Sequence, residues 1–118
     1  MAANTVTVEG QLGADPERKG NENGPVVFSL CWNKNRKLPS GEWDSTPNWF
    51  DVKVWGKTRD QALLLGKGER IIVEGPLEQE TWEKDGQKRS KVVIVARSVA
   101  RVPKVEQAQQ AEQAEIDW

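Results

Sequence analysis

Apolar residues recur at every second position in five stretches of the chain, a pattern typical of half-buried β-strands. In the third stretch, Phe50, Val52 and Val54 share one face, so this face is predicted to belong to a core. The opposite face carries two tryptophans, Trp49 and Trp55. Together, the alternating stretches predict strands over residues 4–12, 26–35, 48–57, 69–82 and 89–102.

One segment, residues 58–68, breaks the two-residue period and predicts a single short helix. Thr58 and Gln61 match a capping box, in which each side chain satisfies a free backbone N–H of the first turn. Gly66 is placed to end the helix, because glycine readily adopts the left-handed conformation that follows a last helical turn.

Residues that favour turns separate the remaining stretches. Gly, Pro, Asn, Asp and Ser are concentrated in residues 13–25 and 36–47, which predicts two loops. A hairpin turn is predicted around Asp85-Gly86. Inside the fourth strand, Gly75-Pro76 predicts a bend, because proline cannot donate a hydrogen bond to a regular ladder.

This order of elements predicts an all-β chain with the OB-fold. That fold is a five-stranded Greek-key barrel, here with one short helix between strands 3 and 4, and its face and loops bind oligonucleotides or oligosaccharides. The barrel is predicted to occupy residues 1–103. Residues 104–118 are rich in Gln, Ala and Glu and are predicted to form a short, mobile acidic tail, because they hold too few large apolar groups for a core.

Composition changes this picture in two ways. The chain of 118 residues has a formal net charge of −1, but residues 1–103 hold 16 Lys and Arg against 14 Asp and Glu, so the barrel is weakly basic and the tail acidic. The chain has no histidine and one cysteine, Cys31, which leaves the usual acid–base and zinc-binding arrangements without residues. We therefore predict a cytoplasmic, non-enzymatic binding protein with no metal, cofactor or membrane span.

The aromatic residues suggest what is bound. The chain has six Trp, two Phe and no Tyr, and both Phe fall on predicted core faces, as Trp32 also does. The other tryptophans of the barrel lie beside cations, and proteins that hold single-stranded nucleic acid combine flat aromatic faces for bases with cations for phosphates. Taken singly, such tryptophans more often belong to a core or a protein interface.

Three segments resemble the bacterial single-stranded DNA-binding protein family: "NTVTVEGQLGADPE", "NWFDVKVWGK" and "LLLGKGERIIVEGPLEQETWEKDGQKR". The resemblance implies an OB-fold homotetramer wrapped by single-stranded DNA, associated with the nucleoid and active in replication, recombination and repair. It implies base stacking at Trp49, Trp55 and Trp82 and a phosphate contact at Lys57. Family members also carry an aromatic residue after strand two, and Trp43 could substitute for it here.

Further phosphate contacts are predicted from cations that neighbour the tryptophans in sequence. These cations are Lys34, Arg36, Lys37, Lys53, Lys84, Lys88 and Arg89. Asp51 lies between Trp49 and Trp55 with the same parity as Lys53, so this face is not purely cationic.

The chain ends in acids, an Ile and a Trp, where tails of the resembled family end in several acids and Pro-Phe. The residues Glu115, Ile116, Asp117 and Trp118 could insert an aromatic group into a pocket of a replication or repair protein while their charges meet a basic rim. A frayed terminus is the alternative. For the barrel, two other functions stay open: a primosomal OB protein acting in protein assembly, and a structural OB domain whose tryptophans line a protein interface.

Overall fold

The computed structural model describes residues 3–103, which form eight β-strands and one helix. In chain order the elements are β1 (Val6–Leu12), β2 (Glu17–Arg18), β3 (Val26–Lys37), β4 (Trp43–Val54), α1 (Thr58–Leu63), β5 (Arg70–Gly75), β6 (Leu77–Lys84), β7 (Gln87–Ala96) and β8 (Ser98–Arg101). No helix in this described part of the chain is long and apolar enough to cross a membrane.

The strands form one sheet that curls upon itself into the OB barrel. Its order is β6-β7-β4-β3-β1-β5-β8, and the two-residue β2 pairs with β3. Strands β5 and β6 lie far apart in this order although only Pro76 separates them in sequence. The bent strand that they form pairs with β1 through its first half and with β7 through its second half. It therefore brings the two sides of the sheet together, as a barrel requires.

The bend at the end of β5 depends on a close approach between two backbones. A Cβ built on Gly75 would lie 2.0 Å from the carbonyl oxygen of Val95, so no larger residue fits without a backbone shift. The amide of Val95 donates to the carbonyl oxygen of Pro76 at 2.9 Å. The predicted bend at Gly75-Pro76 is confirmed, and Arg97 breaks the predicted fifth strand into β7 and β8.

The core consists of the inward-facing residues of these strands and of the buried face of α1. Its fully buried side chains include Val26, Leu30, Val52, Val54 and Ile71. Phe28 is buried as predicted, and Phe50 is partly buried and packs against the core. The OB-fold prediction is confirmed: five long strands, two of them bent or broken, enclose one core, and α1 lies between the third and the fourth.

The predicted loop over residues 36–47 is wrong. Strands β3 and β4 run on through it and pair along their whole length, from Val26↔Val54 to Lys37↔Trp43. Only a tight turn remains, in which the amide of Leu38 donates to the carbonyl oxygen of Glu42 at 2.7 Å. Both faces of this hairpin are exposed beyond Trp32, so the sequence carries no apolar alternation there.

The same extension makes the prediction for Trp32 wrong. Its parity follows Phe28 and Leu30, yet 45% of its surface is exposed. The reason is the length of the barrel: β3 pairs with β1 only at Leu30 and Cys31, so Trp32 lies just past the point where a second layer could cover it.

The helix prediction is confirmed in position and wrong in its ends. Helix α1 stops at Leu63, three residues before Gly66. Lys57 is the N-cap residue and no side chain caps the helix, so the predicted capping box does not form. Instead, the Thr58 hydroxyl donates to the carbonyl oxygen of Arg97 at 3.3 Å, which ties the start of α1 to the junction between β7 and β8.

Candidate nucleic-acid interface

Three tryptophans follow one another at six-residue intervals along β4 and its end. Trp43, Trp49 and Trp55 have the same parity, opposite to the core residues Val52 and Val54. Because an extended strand rises about 3.3 Å per residue, neighbouring indoles are spaced by roughly 20 Å of strand. This is the aromatic face that the alternation predicts.

All four tryptophans predicted to stack on bases expose a large part of their surface. The exposed fractions are 70% for Trp43, 57% for Trp49, 49% for Trp55 and 41% for Trp82. An indole that is buried in the core or folded flat against the barrel on both sides would have no face to offer a base, so this exposure is the minimum that stacking requires.

Trp49 is exposed on one side and supported on the other by Gly13. A Cβ built on Gly13 would lie 2.5 Å from the Cζ3 atom and 2.9 Å from the Cη2 atom of the indole, so the ring rests directly on the glycine backbone. The amide of Gly13 donates to the carbonyl oxygen of Ser29 at 3.1 Å and holds that backbone to β3. The indole is therefore pre-positioned.

Trp82 lies on the outer hairpin of β6 and β7, directly opposite Arg89. It lines a groove of about 510 Å³ together with Lys53, Glu80, Thr81 and Lys91. A second groove of about 400 Å³ shares Lys53, Glu80 and Lys91 and extends to Asp51 and to the loop after β1. Trp82 thus lies beside the part of β4 that separates Trp49 from Trp55.

Four charged side chains in these grooves form a continuous series of ion pairs. The Asp51 carboxylate lies 3.3 Å from the Nζ atom of Lys91, and Lys91 lies 3.8 Å from the Glu80 carboxylate. Glu80 also pairs with Lys53. Val93, only 2% exposed, lines the 400 Å³ groove with them. We call Asp51, Lys53, Glu80 and Lys91 the ion-pair network.

The predicted phosphate contacts fall into two groups on the β3–β4 hairpin. Lys37 lies directly opposite Trp43 and shares its face. Lys34 and Arg36 have the other parity, which is that of the core face, so they lie on the far side of the hairpin. Arg36 approaches the Asp44 carboxylate at 3.9 Å. The structure therefore brings Lys37 to the aromatic face and places Lys34 and Arg36 away from it.

The remaining predicted cations other than Lys53 are exposed and have no acidic partner among residues 3–103. Lys57 directly follows Gly56, whose φ of 68° turns the chain out of β4. Lys84, Lys88 and Arg89 lie around the tip of the β6–β7 hairpin, where Lys84 pairs with Gln87 across the turn. Lys53 is the exception, because the ion-pair network already holds it.

The predicted Asp85-Gly86 turn is confirmed, with φ values of 53° and 78°. Three site residues were missed by the sequence analysis: Gly13, Glu80 and Lys91. The turn held a signal for two of them, because a two-residue turn with Lys84 opposite Gln87 sets Glu80 opposite Lys91. No local pattern indicates that Gly13 lies under Trp49.

The predicted partner-binding residues of the tail cannot be placed on this surface. The tail residues Glu115, Ile116, Asp117 and Trp118 lie outside the described residues. Within residues 3–103, no three Asp, Glu or Cys side chains gather where they could hold a metal ion.

The barrel topology defines an OB-fold protein, a class whose faces and loops bind oligonucleotides or oligosaccharides. Solved structures support the fold. The single-stranded DNA-binding protein of Thermus aquaticus, in a deletion variant, matches with a TM-score of 0.71 and 30% identity, over 88% of this chain and 52% of that one. A Plasmodium falciparum protein solved as "SSB complex with ssDNA" matches with a TM-score of 0.74 at 22% identity, over 87% of this chain and 97% of that one.

The chain belongs to the single-strand binding protein family, whose model matches residues 3–102. It is 43% identical over 99 residues to the single-stranded DNA-binding protein of Aquifex aeolicus, and the alignment covers 81% of this chain and 67% of the relative. It is 36% identical over 100 residues to the mitochondrial single-stranded DNA-binding protein of Drosophila melanogaster, covering 81% of this chain and 68% of the relative.

Proposed function

We propose that this chain binds and protects single-stranded DNA with little sequence preference, without enzymatic activity, during replication, recombination and repair. One observation carries the proposal: of three half-exposed indoles, Trp82 lines the charged groove, and Trp49 and Trp55 flank its residues Asp51 and Lys53 along the chain. Backbone supports the inner face of Trp49. Every base offers a π face to such a platform, so stacking tolerates any sequence. Membership of the single-strand binding protein family supports the same function.

Phosphates are bound by the cations at the edges of this platform. Lys57 follows Trp55, Arg89 lies opposite Trp82, and Lys37 lies opposite Trp43. Each pair joins a stacking face to a positive charge, which is the combination that single-stranded nucleic acid requires. Lys84 and Lys88 extend the positive charge around the tip of the β6–β7 hairpin. Lys34 and Arg36 serve a strand that crosses the far side of the β3–β4 hairpin.

The assembly and the tail belong to the same proposal. The chain acts as a homotetramer in the cytoplasm, associated with the nucleoid, and DNA passes over several subunits. Residues 1–103 form the binding domain, and the acidic tail recruits replication and repair proteins through its last four residues. The mass of the assembly in solution tests the oligomeric state, and deletion of residues 115–118 should abolish partner pull-down while DNA binding is kept.

A fluorescence titration tests DNA binding directly. We expect oligothymidine to quench the tryptophan fluorescence of the protein, because bases stack on the exposed indoles. The logarithm of the affinity should fall linearly with the logarithm of the salt concentration, by about 0.7 for each phosphate contact on a single strand. If no quenching occurs at low salt, the chain does not bind single-stranded DNA, and a protein-assembly or structural function takes its place.

Alanine variants separate a binding role of the tryptophans from a structural one. Removing Trp49, Trp55 or Trp82 should weaken binding by roughly 5- to 150-fold, since each stacked base contributes about 1–3 kcal/mol. Leu64→Ala is the control, because it removes an exposed apolar side chain that lines neither of the two charged grooves. Variants that unfold, rather than bind weakly, would instead show that the tryptophans are needed for the packing of the core.

A further inference from the structure

The ion-pair network lies where a strand stacked on the platform has to pass. Asp51 and Lys53 occupy the outward positions of β4 between Trp49 and Trp55. Glu80 and Lys91 face each other on β6 and β7, and both line the groove that contains Trp82. A sugar–phosphate backbone that joins bases on these indoles therefore meets all four charges.

The network is electrically balanced in the free protein. Two lysines and two carboxylates are joined in series from Asp51 through Lys91 and Glu80 to Lys53, so the network itself has no net charge to attract a phosphate. Between 27% and 51% of each side chain is exposed, which leaves all four accessible to a ligand. Ion pairs this exposed stabilise a fold only slightly, because water screens them. An incoming phosphate can therefore replace a carboxylate.

We propose that Lys53 and Lys91 exchange their carboxylate partners for DNA phosphates when a strand binds, and that Asp51 and Glu80 limit the affinity by competing for the same lysines. This inference rests on the proposed function and adds Lys91 to the phosphate-binding residues. The carboxylates keep the two lysines neutralised until a strand arrives and compete for them again when it leaves, which favours release.

The exchange has a measurable consequence for the salt dependence of binding. A phosphate neutralised by a lysine releases a condensed cation, and this release sets the slope of affinity against salt. In the wild-type chain, each carboxylate that loses its lysine attracts a cation from solution. This uptake offsets the cation that the DNA releases, so the exchanged lysines add little to the slope. Without the carboxylates, each lysine should add about 0.7 to the slope, as phosphate contacts on single strands do.

The test compares the wild-type chain with the double variant Asp51→Asn/Glu80→Gln, which keeps the shape of both side chains and removes their charge. We expect the variant to bind oligothymidine about three- to tenfold more tightly at low salt, with a slope steeper by about 1.4. Adding Lys91→Gln to this variant should lower the slope again by about 0.7, because it removes one phosphate contact. In this background Lys91 has lost both of its carboxylate partners, so the loss of an ion pair cannot explain the change.

Glu9→Gln is the control for the loss of a carboxylate elsewhere on the barrel. Glu9 on β1 pairs with Arg70 on β5 at 3.1 Å, so this variant breaks one exposed ion pair away from the four network residues and gains one positive charge, half the change in the double variant. It should change the affinity less than twofold. Circular dichroism and thermal melting of every variant verify that the barrel is intact.

The outcomes separate this inference from the function on which it rests. If the wild-type chain does not bind oligothymidine, the proposed function fails. If the wild-type chain binds and the double variant binds with the same affinity and slope, or more weakly, the strand does not take over the two lysines and the exchange is refuted. An equal gain in Glu9→Gln would also refute it, because the effect would then be one of overall charge.

Discussion

The contact between Gly13 and Trp49 allows a sharp test of the aromatic platform, because it perturbs the indole without removing it. The substitution Gly13→Ala places a methyl group 2.5 Å from Cζ3 and 2.9 Å from Cη2 of the ring. Carbon atoms in favourable contact lie about 3.5–4.0 Å apart, so the ring has to retreat by about 1 Å or more. The alanine itself fits, since Gly13 does not have the left-handed backbone conformation that disfavours other residues.

A displaced ring should lose part of its stacking energy. A stacked base contributes about 1–3 kcal/mol, which is the loss of binding free energy expected for Trp49→Ala. The loss in Gly13→Ala, which keeps the indole, cannot be larger than this. For Gly13→Ala we expect a loss of about 1 kcal/mol, or roughly fivefold weaker binding of oligothymidine in a fluorescence titration at constant salt. Gly66→Ala is the matched control, because its new Cβ would meet its nearest neighbours, oxygen atoms of Asp15 and Glu69, at an ordinary 3.7 Å.

A double-variant cycle decides whether the effect passes through the indole. In a chain that already carries Trp49→Ala, the further change Gly13→Ala should alter the affinity very little, because there is no ring left to displace. An equal fivefold loss in both backgrounds would show that Gly13 acts by another route, and unchanged binding in Gly13→Ala would show that the support under Trp49 is unimportant.

Three further predictions concern the barrel that holds the platform, and urea unfolding checks each of them. Gly75→Ala should cost about 1–3 kcal/mol of stability or more, because its Cβ would collide with the Val95 carbonyl oxygen. Leu30→Ala should cost about 2–5 kcal/mol, since the side chain is fully buried. Arg59→Met should cost about 1–3 kcal/mol and speed amide exchange in the loop before β3, because its guanidinium donates to the carbonyl oxygens of Glu22 and Gly24 at 3.0 and 2.9 Å. Unchanged urea midpoints would contradict these three assignments.

Local patterns were sufficient to predict most of the barrel. Alternation found the strands wherever one face meets the core, and Gly75-Pro76 and Asp85-Gly86 marked a bend and a turn through their backbone chemistry alone. The patterns failed where the strands leave the core. Residues 36–47 have two exposed faces and so no alternation, and Trp32 keeps the inward parity after the covering strand has ended.

The site, like the barrel, was predictable where it depends on the alternation along a single strand. Parity alone assigned Trp49 and Trp55 to the outer face, and the neighbouring cations made them candidates for stacking. What the sequence could not provide were the contacts between distant strands. The pairing of Asp51 and Lys53 with residues of β6 and β7 depends on the parallel alignment of β4 with β7, which no turn or periodicity encodes. The support of Trp49 by Gly13 depends on barrel curvature in the same way.

The parallel alignment of β4 with β7 also orders the events of folding. Val52, Val54 and their partners Ile94 and Ala96 are about 40 residues apart, and closing so long a loop costs entropy before any contact rewards it. The two long hairpins, β3–β4 and β6–β7, pair residues that are close in the chain. A nascent chain can therefore form its first hairpin early, but the β7 partners of Val52 and Val54 become available only when residue 96 has left the ribosome.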